Sequence, residues 1–288
     1  MKAIYKKELS SFFRSMTGYA LIAFLITFTG VYFMIYNLNQ GYPFFSYTLS
    51  AVMLVLLVLV PVLTMRSFAE ERRSRTDQLL FTSPVKIRQV VAGKYLAMCT
   101  VYLIPNLIFC LFPLVIKSQG SAYFLSDYSS IFQFFLMGCA FISIGMFFSS
   151  LTESPIIAAV STFAATLILY IWEYLTDYLP DGAVANLLIV LVICTILAAL
   201  IFHVTKNRFL CAAFEFITAA SAVTVCIVKS SLFEGLLKNV LGSLDLAKGF
   251  NNAAFNNVFD VSAVILQLTV IAVFEFLTVQ SIEKRRWS

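Results

Sequence analysis

The chain has 288 residues, 60% of them hydrophobic and only 12% charged, with a formal net charge of +5. Its mean hydropathy is +0.90. Soluble domains carry about 25% charged residues, so this composition excludes an ordinary soluble enzyme or binding module.

In chain order, residues 1–16 (MKAIYKKELSSFFRSM) place Tyr5, Leu9, Phe12, Phe13 and Met16 on one helical face, with Lys2, Lys6, Lys7 and Arg14 mostly elsewhere. That pattern predicts a helix along a membrane surface, its lysines near anionic headgroups, with a break at Thr17-Gly18 before the first span. The first apolar run is too long for a cleavable signal peptide, and no small-residue cleavage pattern follows it. Runs at 20–36, 48–65, 95–116, 131–150, 156–172, 184–202, 209–228 and 261–280 each approach the length that crosses a bilayer as a helix. No segment alternates apolar and polar residues with period two, so the expectation is all-α, with about eight spans in a single domain over 1–288. Pro61, Pro105 and Pro113 fall within spans and Pro155 opens the fifth, consistent with kinks or with ordinary packing.

Between the second and third spans lies EERRSRTDQLLFTSPV, a dense charge cluster in a greasy chain. It is helix-permissive from Phe68 to Phe81 and stops at Thr82-Ser83-Pro84. Leu79, Leu80 and Phe81 beside the charges suit a protein-docking surface better than a solvated loop. Further on, residues 229–260 read as a long outer loop. Ser231 and Glu234 cap an amphipathic helix with a stripe from Leu232 to Leu244, and Asn251, Asn252, Asn256 and Asn257 mark a turn-rich return.

Basic residues set the orientation. With the N-terminus in the cytoplasm and eight spans, sixteen Lys and Arg fall on cytoplasmic pieces and four (Lys117, Lys229, Lys238, Lys248) outside. Both termini are then cytoplasmic. The net charge reflects topology, and nucleic acid is not needed to explain it. The six cysteines (Cys99, Cys110, Cys139, Cys194, Cys211, Cys226) sit singly in apolar spans and read as hydrophobic filler, leaving no metal or disulfide framework. Glu215 and Glu275 are acids inside apolar runs. They are expected either to bond to neighbouring helices or to face a shared polar cavity near the inner leaflet.

Enzyme signatures fail. Glu70-Glu71 with Arg75 matches the E-E-x-x-x-R pattern of membrane-embedded CAAX-type proteases, but that chemistry needs two further histidines on other spans. The chain has one, His203. There is no H-E-x-x-H, no G-x-S-x-G and no phosphate-binding loop, so ATP is not bound in the usual way by this chain.

Four stretches together carry a resemblance: MKAIYKKELSSFFRSMTGY, FAEERRSRTDQLLFTSPVKIRQVVAGKYLA, IGMFFSSLTESPIIAAVSTF and LTVQSIEKRRW. They resemble an ABC-2 type permease, closest to the gliding-motility and copper-maturation-like branch. The likeness runs over the whole chain, and Arg75 stands where glycine is common in the family. The resemblance implies a subunit of the bacterial plasma membrane that dimerises with a second copy or a paralogue. It also implies a separate cytoplasmic ATP-binding subunit that holds ATP and Mg. It places the coupling helix in the 66–94 loop, with Glu70, Glu71, Arg72, Arg73, Arg75, Asp77, Leu79, Leu80, Phe81 and Pro84 at the docking surface. A second contact falls at Thr152 and Glu153 in the turn 149–155. The implied activity is ATP-driven export or movement of a substrate. The alternatives are a membrane component that passes ATP-driven motion to an extracellular partner, a secondary carrier, or the protease already weighed.

Overall fold

Long apolar segments leave the backbone no partner but itself, and the chain answers with helices. In the computed structural model, residues 1–76, 86–120, 122–180, 182–183, 185–189, 191–192, 195, 235–256 and 258–287 are described, and among them no strand occurs. The protein is all-α. Among the described residues five helices are long and apolar enough to cross a membrane: Met16–Asn39, Ser46–Arg73, Ile87–Gln119, Phe124–Leu151 and Val261–Arg285. A shorter apolar helix follows at Pro155–Tyr170. These six match six of the eight expected spans. The expected span at 184–202 lies mostly, and that at 209–228 wholly, outside the described residues.

The chain divides into two units, one of Met1–Tyr170 with Leu246–Ser288 and one of Ile171–Asp245. In the first, α1 (Lys2–Arg14) ends at Ser15, whose extended backbone (ψ 155°) separates it from α2 (Met16–Phe33). The break thus precedes the expected Thr17-Gly18 step. Ser15 donates its hydroxyl to the Phe12 carbonyl at 3.3 Å and shares a 2.6 Å bond with Thr17. Gly18 serves a different end, because a Cβ there would meet the Phe12 carbonyl oxygen at 2.6 Å. Met16 consequently leaves the apolar face of α1 and is 88% exposed.

α2 runs into a π-helical turn, Met34–Asn39. Asn37 organises the return there, donating to the carbonyls of Tyr42 (2.8 Å) and Phe44 (3.0 Å) and accepting from the Thr48 hydroxyl (2.7 Å). Next come α3 (Ser46–Thr64), the short α4 (Ala69–Arg73), α5 (Ile87–Phe109), α6 (Phe112–Gln119) and α7 (Phe124–Leu151). Pro113 is the second residue of α6, and α5 and α6, parted only by Cys110 and Leu111, together make up the Ile87–Gln119 span. α8 is Pro155–Tyr170, α11 is Lys248–Phe255 and α12 is Val261–Trp287.

α7 is the axis of this unit, with 78% of its most apolar window buried, and α3, α5, α8 and α12 pack around it. Small residues permit the approach. A Cβ on Gly145 would lie 2.3 Å from the Thr64 hydroxyl, and one on Gly138 would enter the Tyr102 ring. Phe134, Met137, Phe141 and Ile144 of α7 are buried with Leu56, Met98 and Phe109.

At the end of the bundle away from Arg66, α11 is tucked in by Ser46 and Ser126, whose hydroxyls donate to the carbonyls of Ala254 and Ala253 at 3.0 Å each. Asn251 and Asn252, expected in a turn, are helical because Gly249, Phe250, Ala253 and Ala254 form a buried face. Asp260 then caps α12. Its carboxylate accepts from the hydroxyl and N–H of Ser262 at 2.6 and 3.0 Å and from the Asn252 amide at 3.0 Å. Those donors, the Ser262 hydroxyl foremost, hold its carboxyl below the ordinary aspartate value.

In the second unit, α9 (Trp172–Asp177) meets α10 (Leu236–Gly242). The Trp172 indole N–H donates to the Leu241 carbonyl at 2.8 Å, and Lys238 pairs with Asp177 at 3.2 Å. Within the stretch expected to hold an amphipathic helix, residues Leu236–Gly242 are helical. Its proposed cap, Ser231 with Glu234, lies outside the described residues. Gly235 precedes the helix in the left-handed region, at φ 65°.

Candidate functional site: the charged end of the bundle

Five charged segments distant in sequence converge where α3 ends and α5 begins. Lys94, about two turns into α5, is 3% exposed. A buried ammonium is costly unless paired. Lys94 donates to Glu71 of α4 at 2.7 Å and to Glu8 of α1 at 3.1 Å, and lies 5.3 Å from the centroid of the Phe68 ring. One cation therefore joins α1, α4 and α5. Glycine next door makes this close fit possible, since a Cβ on Gly93 would approach Ile4 Cγ2 to 3.1 Å. Tyr5 and Thr100 share a further bond at 3.0 Å between α1 and α5.

α4 is held at both ends. Its N-cap, Phe68, offers no side-chain acceptor. The hydroxyl of Ser149, from the end of α7, takes that place, accepting from the N–H groups of Phe68 (3.1 Å) and Ala69 (3.2 Å) and donating to the Met65 carbonyl. At the other end Arg75 takes the left-handed conformation, φ 58°. The Thr76 N–H reaches the Glu71 carbonyl at 2.9 Å, and the Arg75 N–H reaches that of Arg72 at 3.0 Å. That pair of bonds is a Schellman stop, in which glycine is the favoured residue at the position Arg75 occupies. The helix expected from Phe68 to Phe81 is thus interrupted after Arg73, and its remainder from residue 77 lies outside the described residues. Ser74 helps, donating to the Glu70 carbonyl at 2.8 Å.

Arg72 connects this segment to the turn after α7. It donates to Glu153 at 3.1 Å and to the Ser150 carbonyl at 3.2 Å. Arg285, near the end of α12, donates to the Leu151 carbonyl at 2.9 Å. The loop after the second span and the turn 149–155, separate in sequence, thus form one surface.

Of the residues singled out in the sequence, Glu70, Arg73 and Arg75 are exposed, with Glu70 only 4.0 Å from Arg66. Glu71 turns inward to Lys94, and Arg72 is spent on Glu153. Thr152 donates to the Ser154 carbonyl at 3.0 Å, and Glu153 is exposed. Asp77, Leu79, Leu80, Phe81 and Pro84 lie outside the described residues, as do Glu215 and His203. Glu275 sits on α12 with one buried carboxylate oxygen, Oε1, that has no partner among the described residues. The sequence reading assigned Glu8 no role, Lys94 and Arg285 only a place in the charge count, and Ser149 only a place in the turn 149–155. Glu8 had a signal: it falls one turn from both Tyr5 and Phe12, on the apolar face of α1.

A chain with five such helices among its described residues and one charged, cross-braced end is a multi-pass membrane protein. The family profile for ABC-2 family transporter proteins matches residues 37–183, just over half of the chain. The chain belongs to that family and is an ABC-2 type permease, the membrane component of an ABC transporter. No curated protein and no solved structure matched it.

Proposed function

We propose that the chain is the permease subunit of an ATP-driven transporter. Two permease chains, identical or paralogous, would each receive a cytoplasmic ATP-binding subunit that holds ATP and Mg. The charged end of the bundle would face the cytoplasm of a bacterial cell, with both termini on that side. The docking element would be α4 with the segment after it, flanked by the turn 149–155.

The observation that carries this reading is the bracing of α4. Lys94, Ser149 and Arg72 tie a five-residue helix to α1, α5 and α7 and to the turn at Glu153. A solvated loop has no use for such attachment, whereas an element that receives force must be fastened to the spans it moves. ATP-driven approach of the two ATP-binding subunits would displace α4, and the spans would re-expose a path to the opposite face.

Replacing Leu79 and Leu80 with aspartate tests the assignment. A charge forced into an apolar groove should release the ATP-binding subunit on pull-down while the permease still inserts. Undiminished retention of that subunit would remove residues 77–85 from the docking surface.

A further inference from the structure

The two faces of α1 differ sharply. One is occupied: Ile4, Tyr5 and Glu8 contact α5. The other borders an open depression of about 760 Å³ lined by Lys6, Lys7 and Arg14 with the hydroxyls of Ser10, Ser11 and Ser15. No carboxylate lines it, and none of the three cations forms an ion pair among the described residues. One residue past its end the first membrane helix begins, and there Met16 is 88% and Tyr19 58% exposed, with Tyr19 set edge-on to Phe13 at 5.4 Å.

We propose that this face of α1 is a binding site for anionic phospholipid, taking the headgroup phosphodiester on Lys6, Lys7 and Arg14. The charge complement is direct, and the hydroxyls of Ser10 and Ser11 add donors for phosphate oxygens, that of Ser15 being bonded to Phe12 and Thr17. Continuity supplies the second argument. A helix joined through a single residue, Ser15, to a membrane-crossing helix lies at headgroup depth, where Met16 and Tyr19 reach acyl chains. A choline headgroup is a poor occupant, because its cation would meet three others. The site also has a route to the rest of the molecule. Glu8, on the opposite face of the same helix, holds Lys94, which holds Glu71 of α4. Lipid that fixes α1 therefore fixes the position of α4.

The inference rests on the chain spanning a membrane and needs no ATP-binding subunit, so its failure is separate from failure of the docking assignment. Full-length permease in neutral detergent is loaded with phosphatidylglycerol or phosphatidylcholine, and retained lipid is counted by native mass spectrometry. Phosphatidylglycerol should be retained at least about tenfold better, and each of Lys6→Gln, Lys7→Gln and Arg14→Gln should cut that preference roughly fivefold. Lys117→Gln, at the far end of the bundle, should leave it unchanged. Raising salt from about 0.05 to 0.5 M should erode it in the unmodified protein, a readout independent of any variant. Equal retention of the two lipids would overturn the proposal, as would a salt-independent preference or one that survives in the triple variant. Displacement of the lipid by soluble glycerol phosphate would do the same, making this a site for a free phosphate ester.

Discussion

Lys94 enters the sequence as one more positive charge near the start of the third span, and charge counting assigns it no further task. In the fold it is the residue on which three helices depend. Its acidic partners lie 23 and 86 positions away. Patterning along a chain reports which face a residue takes but not which distant residue it meets, so this pairing was not legible. Lys94→Ala leaves Glu71 and Glu8 together in a half-buried site and should cost about 3–5 kcal/mol of stability. Lys94→Met with Glu8→Gln and Glu71→Gln removes all three charges and should restore most of that. Thermal unfolding of the purified variants distinguishes the two, and a loss below about 1 kcal/mol for Lys94→Ala would mean that the cluster is hydrated and weak. Arg75 was visible as a departure from glycine, but its meaning lay in a backbone angle. A non-glycine residue in the left-handed region costs about 1–2 kcal/mol, part of which glycine returns through its freer unfolded chain. Arg75→Gly should therefore stabilise the protein by about 0.5–1 kcal/mol, and an unfolding midpoint lower than that of the parent would contradict the stop described at this position.

At the scale of elements, hydrophobic runs located α2, α3, α5, α7, α8 and α12 because a membrane span needs only length and composition to be recognised. Their ends were harder. The junction of α1 and α2 moved to Ser15, and α4 stops at Arg73, since each boundary is set by a local hydrogen bond rather than by hydropathy. α11 was read as a turn for the related reason that four asparagines mask an alternating buried face of Gly, Phe and Ala. Ser149 shows how one element can cap another. It stands 81 residues from Phe68 and replaces the side-chain cap that Phe68 cannot provide. Ser149→Ala would leave two N–H groups and the Met65 carbonyl without this partner in a buried setting, at about 1–3 kcal/mol. Amide exchange read by mass spectrometry should rise in residues 68–73 while the middle of α3 stays protected. Equal protection in both would show that α4 does not depend on α7 for its start.

For the whole molecule, the arrangement makes one end of the first unit rich in Lys and Arg and the other nearly free of them. α2 and α5 run away from the charged end, and α3, α7 and α12 return to it, which is the alternation that successive crossings require. Charge bias then predicts which side each end faces: Ser74, beside α4, toward the cytoplasm, and the loop after α11 toward the outside. Asn256 suits a probe there better than Asn252, because Asn252 is bonded to the cap residue Asp260 whereas Asn256 is exposed at the end of α11. Cysteine at Asn256 should react in intact cells with a membrane-impermeant thiol reagent, and cysteine at Ser74 should react only after the membrane is opened. The native thiols at Cys99 and Cys139 are buried, whereas Cys110 is half-buried at the end of α5, so both probes are placed in a Cys110→Ser background and read against it. The reverse labelling pattern would invert the orientation and with it the placement of the docking element. Reaction at both positions in intact cells would put the two ends of the bundle on one side, which five crossing helices packed as α2, α3, α5, α7 and α12 do not allow.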